Sequence, residues 1–81
     1  MKIAVKLFAA AKQRAGSDVV EVELPQPATV AALRSALAEQ HPNLASLLPH
    51  ARLAVNSDYA ADQAVIPAAA EIAVIPPVSG G

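Results

Sequence analysis

The sequence predicts an α+β fold, a mixed sheet with one main helix packed on one face, and three observations support this prediction. Two segments near the start alternate apolar and polar residues, as half-buried strands do. One segment in the middle repeats its apolar residues at helical spacing. A nearly continuous apolar run close to the end is typical of a central strand and is compatible with parallel pairing.

The first two strands are predicted from KIAVKLF (residues 2–8) and DVVEVEL (residues 18–24). Each stretch puts most of its apolar side chains on one face and its charged side chains on the other. Between them, AAAKQR is a run of helix formers, and Gly16 lies where such a helix would end. Two amphipathic strands with a short connection predict an antiparallel hairpin.

The main helix is predicted over VAALRSALAEQ (residues 30–40). Pro25 and Pro27 interrupt the preceding strand because proline cannot donate to a strand ladder. Thr29 is a suitable N-cap. The helix must stop before Pro42, since the residue before a proline disfavours the helical conformation.

The second half of the chain contains shorter elements. NLASLLPH (residues 43–50) predicts one or two further helical turns, and RLAVN (residues 52–56) predicts a short strand. Ser57 and Asp58 suit a turn. AVI (residues 64–66) is compatible with a minor strand.

The final strand is predicted over EIAVI (residues 71–75). A right-handed crossover would bring it beside the first strand. The chain is predicted to form a single domain over residues 1–81, with an extended tail over residues 75–81. Two prolines direct that tail outward, and the terminal Gly-Gly, lacking Cβ atoms, can pass through a narrow channel in another protein.

Composition excludes several classes of function. The net charge is −1, with no basic stripe and few aromatics, so nucleic acid is not expected as a partner. Cysteine is absent, which excludes a thiolate nucleophile. No segment is long and apolar enough to span a membrane, and a cytoplasmic protein is expected. His41 and His50 lack companion ligands, so no metal or cofactor is expected to bind.

Core positions are expected at Val, Ile and Leu, together with Phe8 and Tyr59.

The chain resembles the ubiquitin-like β-grasp sulfur carriers over essentially its whole length. Within that group, the start KLFAAAKQRAG, the middle RLAVN and the ending EIAVIPPVSGG are similar to the small subunits of molybdopterin synthase. The most specific piece is the terminal Pro-Pro-Val-Ser-Gly-Gly. The resemblance implies a β-grasp fold with a flexible C-terminal tail.

The resemblance also implies the chemistry and the partners. A ubiquitin-activating-type adenylyltransferase, using ATP and Mg, would adenylate the Gly81 carboxylate, and a sulfur donor would then convert it to a thiocarboxylate. The large subunit of molybdopterin synthase would bind the tail in a heterotetramer and use the sulfur to build the dithiolene of molybdopterin. The chain would act as a sulfur-donating subunit rather than as a catalyst by itself.

The residues implied in this chemistry fall into two groups. Gly80 and Gly81 would carry the reacting group, and Phe8 could form an apolar patch at the tail root or could equally lie in the core. The positions expected to contact partners are Phe8, Lys12, Ile75, Pro76, Pro77, Val78 and Ser79.

Two short segments depart from the family pattern. Members usually carry Gly-Asp-Glu before the last strand, where this chain has Ala69, Ala70 and Glu71. An alanine there must either avoid positive φ or bear its energetic cost, and a different turn type is expected. An Arg-Glu pair is replaced by Lys12 and Gln13, and lysine cannot reproduce a bidentate guanidinium contact.

Three alternative functions remain open from the sequence. The chain could carry sulfur for another pathway, such as the thiazole of thiamin. It could be a ubiquitin-like modifier attached to lysines of target proteins. It could also be an interaction domain with an inert tail.

Overall fold

A computed structural model describes residues 1–77 of the chain. The first half contains a strand, a short helix, a second strand and the main helix. The second half contains two short 3-10 helices, at Pro42–Leu44 and Leu48–His50, and three strands. The elements are β1 (Lys2–Leu7), α1 (Ala9–Ala15), β2 (Val19–Glu23), α2 (Val30–Gln40), β3 (Arg52–Val55), β4 (Asp58–Tyr59) and β5 (Ile72–Ile75).

The five strands form one mixed sheet in the order β2-β1-β5-β3-β4. β1 pairs antiparallel with β2, which confirms the predicted hairpin. β5 lies parallel to β1 and antiparallel to β3, so the last strand occupies the middle of the sheet beside the first. The mixed α+β sheet with one main helix, predicted from the sequence, is confirmed.

The core lies between the sheet and α2. Thr29 caps the helix through its Oγ1, which accepts a hydrogen bond from the Ala32 N–H at 3.1 Å. From α2, Val30, Leu33 and Leu37 are fully buried. They pack in one cluster with the inward residues of the strands, among them Val5 and Val74.

Arg34 on α2 ties the irregular second half of the chain to the helix. Its guanidinium donates to the carbonyl oxygens of Leu48 and Ala51, and to Asp62 Oδ1 at 3.1 Å. Three acceptors from two loops therefore meet one side chain. This arrangement holds the loops on one side of the helix.

The outer edge of β2 is covered by side chains. The amide of Gln40 accepts from the Glu23 N–H at 2.9 Å and donates to the Glu23 carbonyl at 2.7 Å. The Ser17 hydroxyl donates to the Val19 carbonyl at 2.8 Å and accepts from the Val19 N–H at 3.3 Å. His41 Nε2 lies 2.7 Å from the Glu21 carbonyl oxygen. These contacts occupy most of the edge groups that another strand would need.

Two details of the second half differ from the sequence prediction. The turn after β3 is formed by Asn56 and Ser57, both with positive φ, and Asp58 already belongs to β4. This is the backbone of a two-residue hairpin with positive φ at both central residues, which asparagine tolerates. The segment over residues 64–66 is not a strand, because only Val65 makes a bridge, to Thr29.

The turn before β5 keeps a positive φ despite its alanines. Ala69 has φ 60°, so of the two alternatives the chain takes the one in which alanine bears the cost of positive φ. A left-handed backbone costs an L-residue roughly 1–2 kcal/mol because its Cβ crowds the following carbonyl. The chain bears this cost at an exposed site.

Ala69→Gly is therefore expected to stabilise the fold. Relief of the strain outweighs the added freedom of glycine in the unfolded chain, for a net gain of about 0.5–1 kcal/mol in the free energy of unfolding. Denaturant unfolding measures this gain. Ala68→Gly is the matched control, since Ala68 is exposed in the same turn without positive φ, and it should lose stability. Equal losses in both variants would contradict the strain at Ala69.

Candidate functional site

The site predicted at the end of the chain starts from the central strand β5. Its last residue, Ile75, pairs with Arg52 of β3. Pro76 follows and is buried, whereas Pro77 is exposed. Because proline has no N–H, the ladder cannot continue through this pair. The chain thus leaves the sheet from its middle, between β1 and β3.

The rest of the predicted tail lies outside the described residues. Val78 and Ser79, expected to contact partners, belong to this group, as do Gly80 and Gly81, expected to carry the reaction. Their roles stay predictions. The structure describes the part of the molecule from which they extend.

Among residues 1–77, no helix lies over the face of the sheet opposite α2. On β5, Ile72 and Val74 face the core, while Ala73 and Ile75 face the other way and lie outside the core cluster. On β3, Ala54 is only 5% exposed and is also outside that cluster. We call this side of the sheet the outward face.

Phe8 directly follows β1 and lies at the end of this face where β5 ends and the tail begins. Its side chain is 48% exposed, so of the two readings left open by the sequence, the core reading is wrong. Phe8 and Ile75 line one shallow groove whose floor includes Ala54 and Ala73. The small alanine side chains leave the larger apolar groups standing above the sheet.

Tyr59 lines the same groove and was not predicted as a site residue. The expectation that it belongs to the core is wrong, because it is 60% exposed. The Arg52 guanidinium carbon lies 4.9 Å from the centre of its ring, within the range of a cation–π contact. The signal was present in the sequence, since a hairpin turn at Asn56 and Ser57 makes Tyr59 the second residue of an edge strand. We name Phe8, Ile75 and Tyr59, with Ala54 and Ala73 beneath them, the apolar patch.

Lys12 lies near this patch on α1. It lines a neighbouring groove together with Phe8, Lys6 and Asp18. Gly16 ends α1 with φ 70°, and its N–H donates to the Lys12 carbonyl at 3.0 Å, as predicted for a helix stop. The Lys12 side chain is exposed, so it is available to a partner.

The described residues contain no group of three or more potential metal ligands. His50 is exposed, and His41 contacts a backbone carbonyl of β2. Within residues 1–77, no helix combines the length and the apolar character needed to cross a membrane. The candidate site within residues 1–77 is therefore the apolar patch, which lies beside the point where the tail begins.

Comparison with known proteins agrees with this geometry. The sequence model of the ThiS family matches residues 5–81. The molybdopterin synthase sulfur carrier subunit of Dictyostelium discoideum is 40% identical over 80 residues, which cover 95% of this chain and 93% of that protein. Both matches extend over nearly the whole chain.

Solved structures share the fold. SAMP1 of Haloferax volcanii, a small archaeal modifier protein, is 34% identical, with a TM-score of 0.85 and complete coverage of both chains. A chain from the complex of subunits 1 and 2 of the molybdopterin-converting factor of Helicobacter pylori gives a TM-score of 0.69. It is 21% identical with complete coverage of both chains, and this likeness concerns the fold alone. Together with the geometry, these neighbours confirm the ubiquitin-like β-grasp fold.

Proposed function

Because the chain belongs to the ThiS family, we propose that it is the sulfur carrier subunit of a molybdopterin synthase. The observation that carries the proposal is the exit of the chain from the central strand, through Pro76 and Pro77, beside an exposed apolar patch. The name of the Dictyostelium relative supports the same function.

The proposed chemistry takes place at the carboxyl group of Gly81. A carboxylate is a poor electrophile, so an adenylyltransferase first transfers AMP from ATP to it and releases pyrophosphate. Sulfide from a sulfur donor then attacks the acyl carbon, the bond to AMP breaks, and a thiocarboxylate remains. The absence of Cβ atoms at Gly80 and Gly81 allows this group to approach a partner's catalytic residues closely. Dependence on ATP is consistent with a cytoplasmic location.

The proposed role of the apolar patch is to bind the proteins that act on the tail. Phe8 and Ile75 supply the large apolar side chains, and Tyr59 adds a third. Aromatic side chains in such positions often account for much of an interface's binding energy. Lys12 lies at the border of this surface. The proposed partners are the adenylyltransferase and the large synthase subunit.

The tail residues have separate proposed roles. Pro77, Val78 and Ser79 would contact the channel of the large subunit, while Pro76, being buried, would set the direction of the chain. After each sulfur transfer, Gly81 would return to a plain carboxylate. Two carriers and two large subunits would form the heterotetramer.

The pathway is tested with the chain in its thiocarboxylate form. Mixed with the cognate large subunit and a cyclic pyranopterin phosphate, it is expected to yield the dithiolene product and to return to the carboxylate. The same preparation mixed with a thiazole synthase and its substrates is the comparison. Thiazole formation without dithiolene formation would assign the chain to the thiamin pathway instead.

A second candidate function is a ubiquitin-like protein modifier. The similarity to a small archaeal modifier protein, at a TM-score of 0.85, favours it specifically. In that function, Gly81 would form an isopeptide bond with a lysine of a target. After cleavage on the carboxyl side of glutamate, mass spectrometry of cell extracts would detect target lysines that carry residues 72–81, because Glu71 is the last glutamate of the chain. The sulfur carrier function alone would not produce these branched peptides.

A further inference from the structure

The strand register arranges the outward face into rows. At one level, the paired residues of all five strands form a continuous row of side chains across the outward face. The next row, closer to the point where the tail begins, consists of Phe8 and the Ile75–Arg52 pair. We call these two rows the upper half. The first of them consists of Val19, Lys6, Ala73, Ala54 and Tyr59.

The lower half of the outward face lies farther from the tail root. There Ala4 pairs with Glu21, and Lys2 pairs with Glu23. Glu71 directly precedes β5, two residues before Ala73, and lines the groove that also contains Phe8 and Tyr59. The lower half thus combines three carboxylates with one cation.

The charges of the two halves are opposite in sign. The upper half contains Lys6 and Arg52 among apolar side chains and no carboxylate in its rows. Two acidic residues lie beside these rows: Glu71 lines the same groove as Lys6, and Asp18 lines the adjoining groove with Lys6 and Lys12. The net charge of −1 for the whole chain conceals this separation.

The cations of the upper half are not neutralised within the described part of the chain. The ion pair found within residues 1–77 joins Arg34 to Asp62, on the opposite side of the sheet from Lys6 and Arg52. Arg52 is held against the ring of Tyr59, so less side-chain freedom is lost when it meets a partner. Lys6 lies on β1, beside the central strand β5, and lines the groove with Phe8.

We propose that the protein that receives the tail binds the upper half through an apolar surface bordered by carboxylates, which face Lys6 and Arg52. This inference rests on the proposed function and specifies the chemistry of its partner. Glu21, Glu23 and Glu71 repel those same carboxylates, so a partner docked in the reversed direction is disfavoured. The charge separation therefore directs the partner to the end from which the tail leaves.

Lys6→Glu and Lys2→Glu give a matched test of this proposal. Both residues are exposed on the outward face of β1, and both substitutions change the net charge equally, but only Lys6 lies in the upper half. The probe is the cognate large synthase subunit, and stopped-flow fluorescence measures the association rate constant. Lys6→Glu is expected to lower this constant roughly tenfold at low salt, whereas Lys2→Glu should change it less than about twofold.

Two further measurements distinguish an effect of charge on the association rate from other effects: a change of ionic strength and the conservative substitution Arg52→Lys. The loss in Lys6→Glu should shrink when the ionic strength is raised to about 0.5 M, because screening weakens the electrostatic attraction. Arg52→Lys should bind faster than Arg52→Glu, since it keeps the charge. Equal effects of Lys6→Glu and Lys2→Glu, or a loss that is independent of salt, would overturn the inference. If the unchanged chain failed to bind the large subunit, the proposed function would be overturned first.

Discussion

Deletion of Gly81 is expected to abolish sulfur transfer while leaving the fold intact. The reacting carboxyl would then belong to Gly80 and would stop one residue short, a displacement of about 3.3–3.6 Å in an extended chain. A misplacement of that size exceeds what catalysis tolerates, since reacting atoms must be held within a few tenths of an ångström. Dithiolene formation measures the loss, and circular dichroism follows the fold.

Lengthening the tail provides the complementary variant. An alanine added after Gly81 moves the carboxyl in the opposite direction and adds a Cβ, so transfer should also be lost. Ser79→Ala keeps the length of the tail and is the matched control, expected to retain most activity. Normal transfer by the shortened or the lengthened chain would refute a role for the Gly81 carboxyl.

Phe8→Ala is expected to weaken binding of the large subunit strongly. Removal of an exposed aromatic from the centre of an interface typically costs about 2 kcal/mol, which corresponds to roughly a thirtyfold rise in Kd. Stability should change little, because Phe8 is 48% exposed in the isolated chain. Isothermal titration calorimetry gives the affinity, and thermal unfolding gives the stability.

Val65→Ala is the control for the loss of a large apolar side chain. Val65 is 62% exposed but bridges to Thr29 at the start of α2, away from the apolar patch. Its substitution should leave Kd nearly unchanged. Equal losses of affinity for Phe8→Ala and Val65→Ala would mean that the patch is not the docking surface.

The regular elements follow from local patterns in the sequence. The alternation in β1 and the cap at Thr29 before α2 are local signals, and the structure confirms both. The apolar run of β5 indicated a central strand, and its parallel neighbour β1 agrees with that reading. These predictions succeed because strand and helix periodicity reflect which side chains are buried.

The errors concern residues whose environment is decided by tertiary structure or by another molecule. Phe8 and Tyr59 are hydrophobic enough for a core, yet both are exposed, and hydrophobicity alone cannot distinguish a core from an interface. Ala69 adopts a conformation that alanine disfavours, because the connection to β5 requires it. Val65 makes only a bridge, since no neighbouring strand is available to pair with it.

The candidate site was predictable in part. The terminal Gly-Gly and the preceding prolines indicated a tail that acts in another protein, and the resemblance implied Phe8 and Ile75. Tyr59 was not predicted as a site residue, and neither was the separation of charge between Lys6 and the lower half. Both depend on strand register, which brings together residues that are distant along the chain.

The most direct test of the sulfur carrier function is the intact mass of the chain after activation. The pure protein is incubated with a ubiquitin-activating-type adenylyltransferase, Mg-ATP and a sulfide source, beside a sample that lacks Gly81. A mass gain equal to the replacement of one oxygen by sulfur is expected in the full chain, and no gain is expected in the shortened one. An unchanged mass with the cognate activating enzyme would contradict the sulfur carrier function and favour an interaction domain with an inert tail.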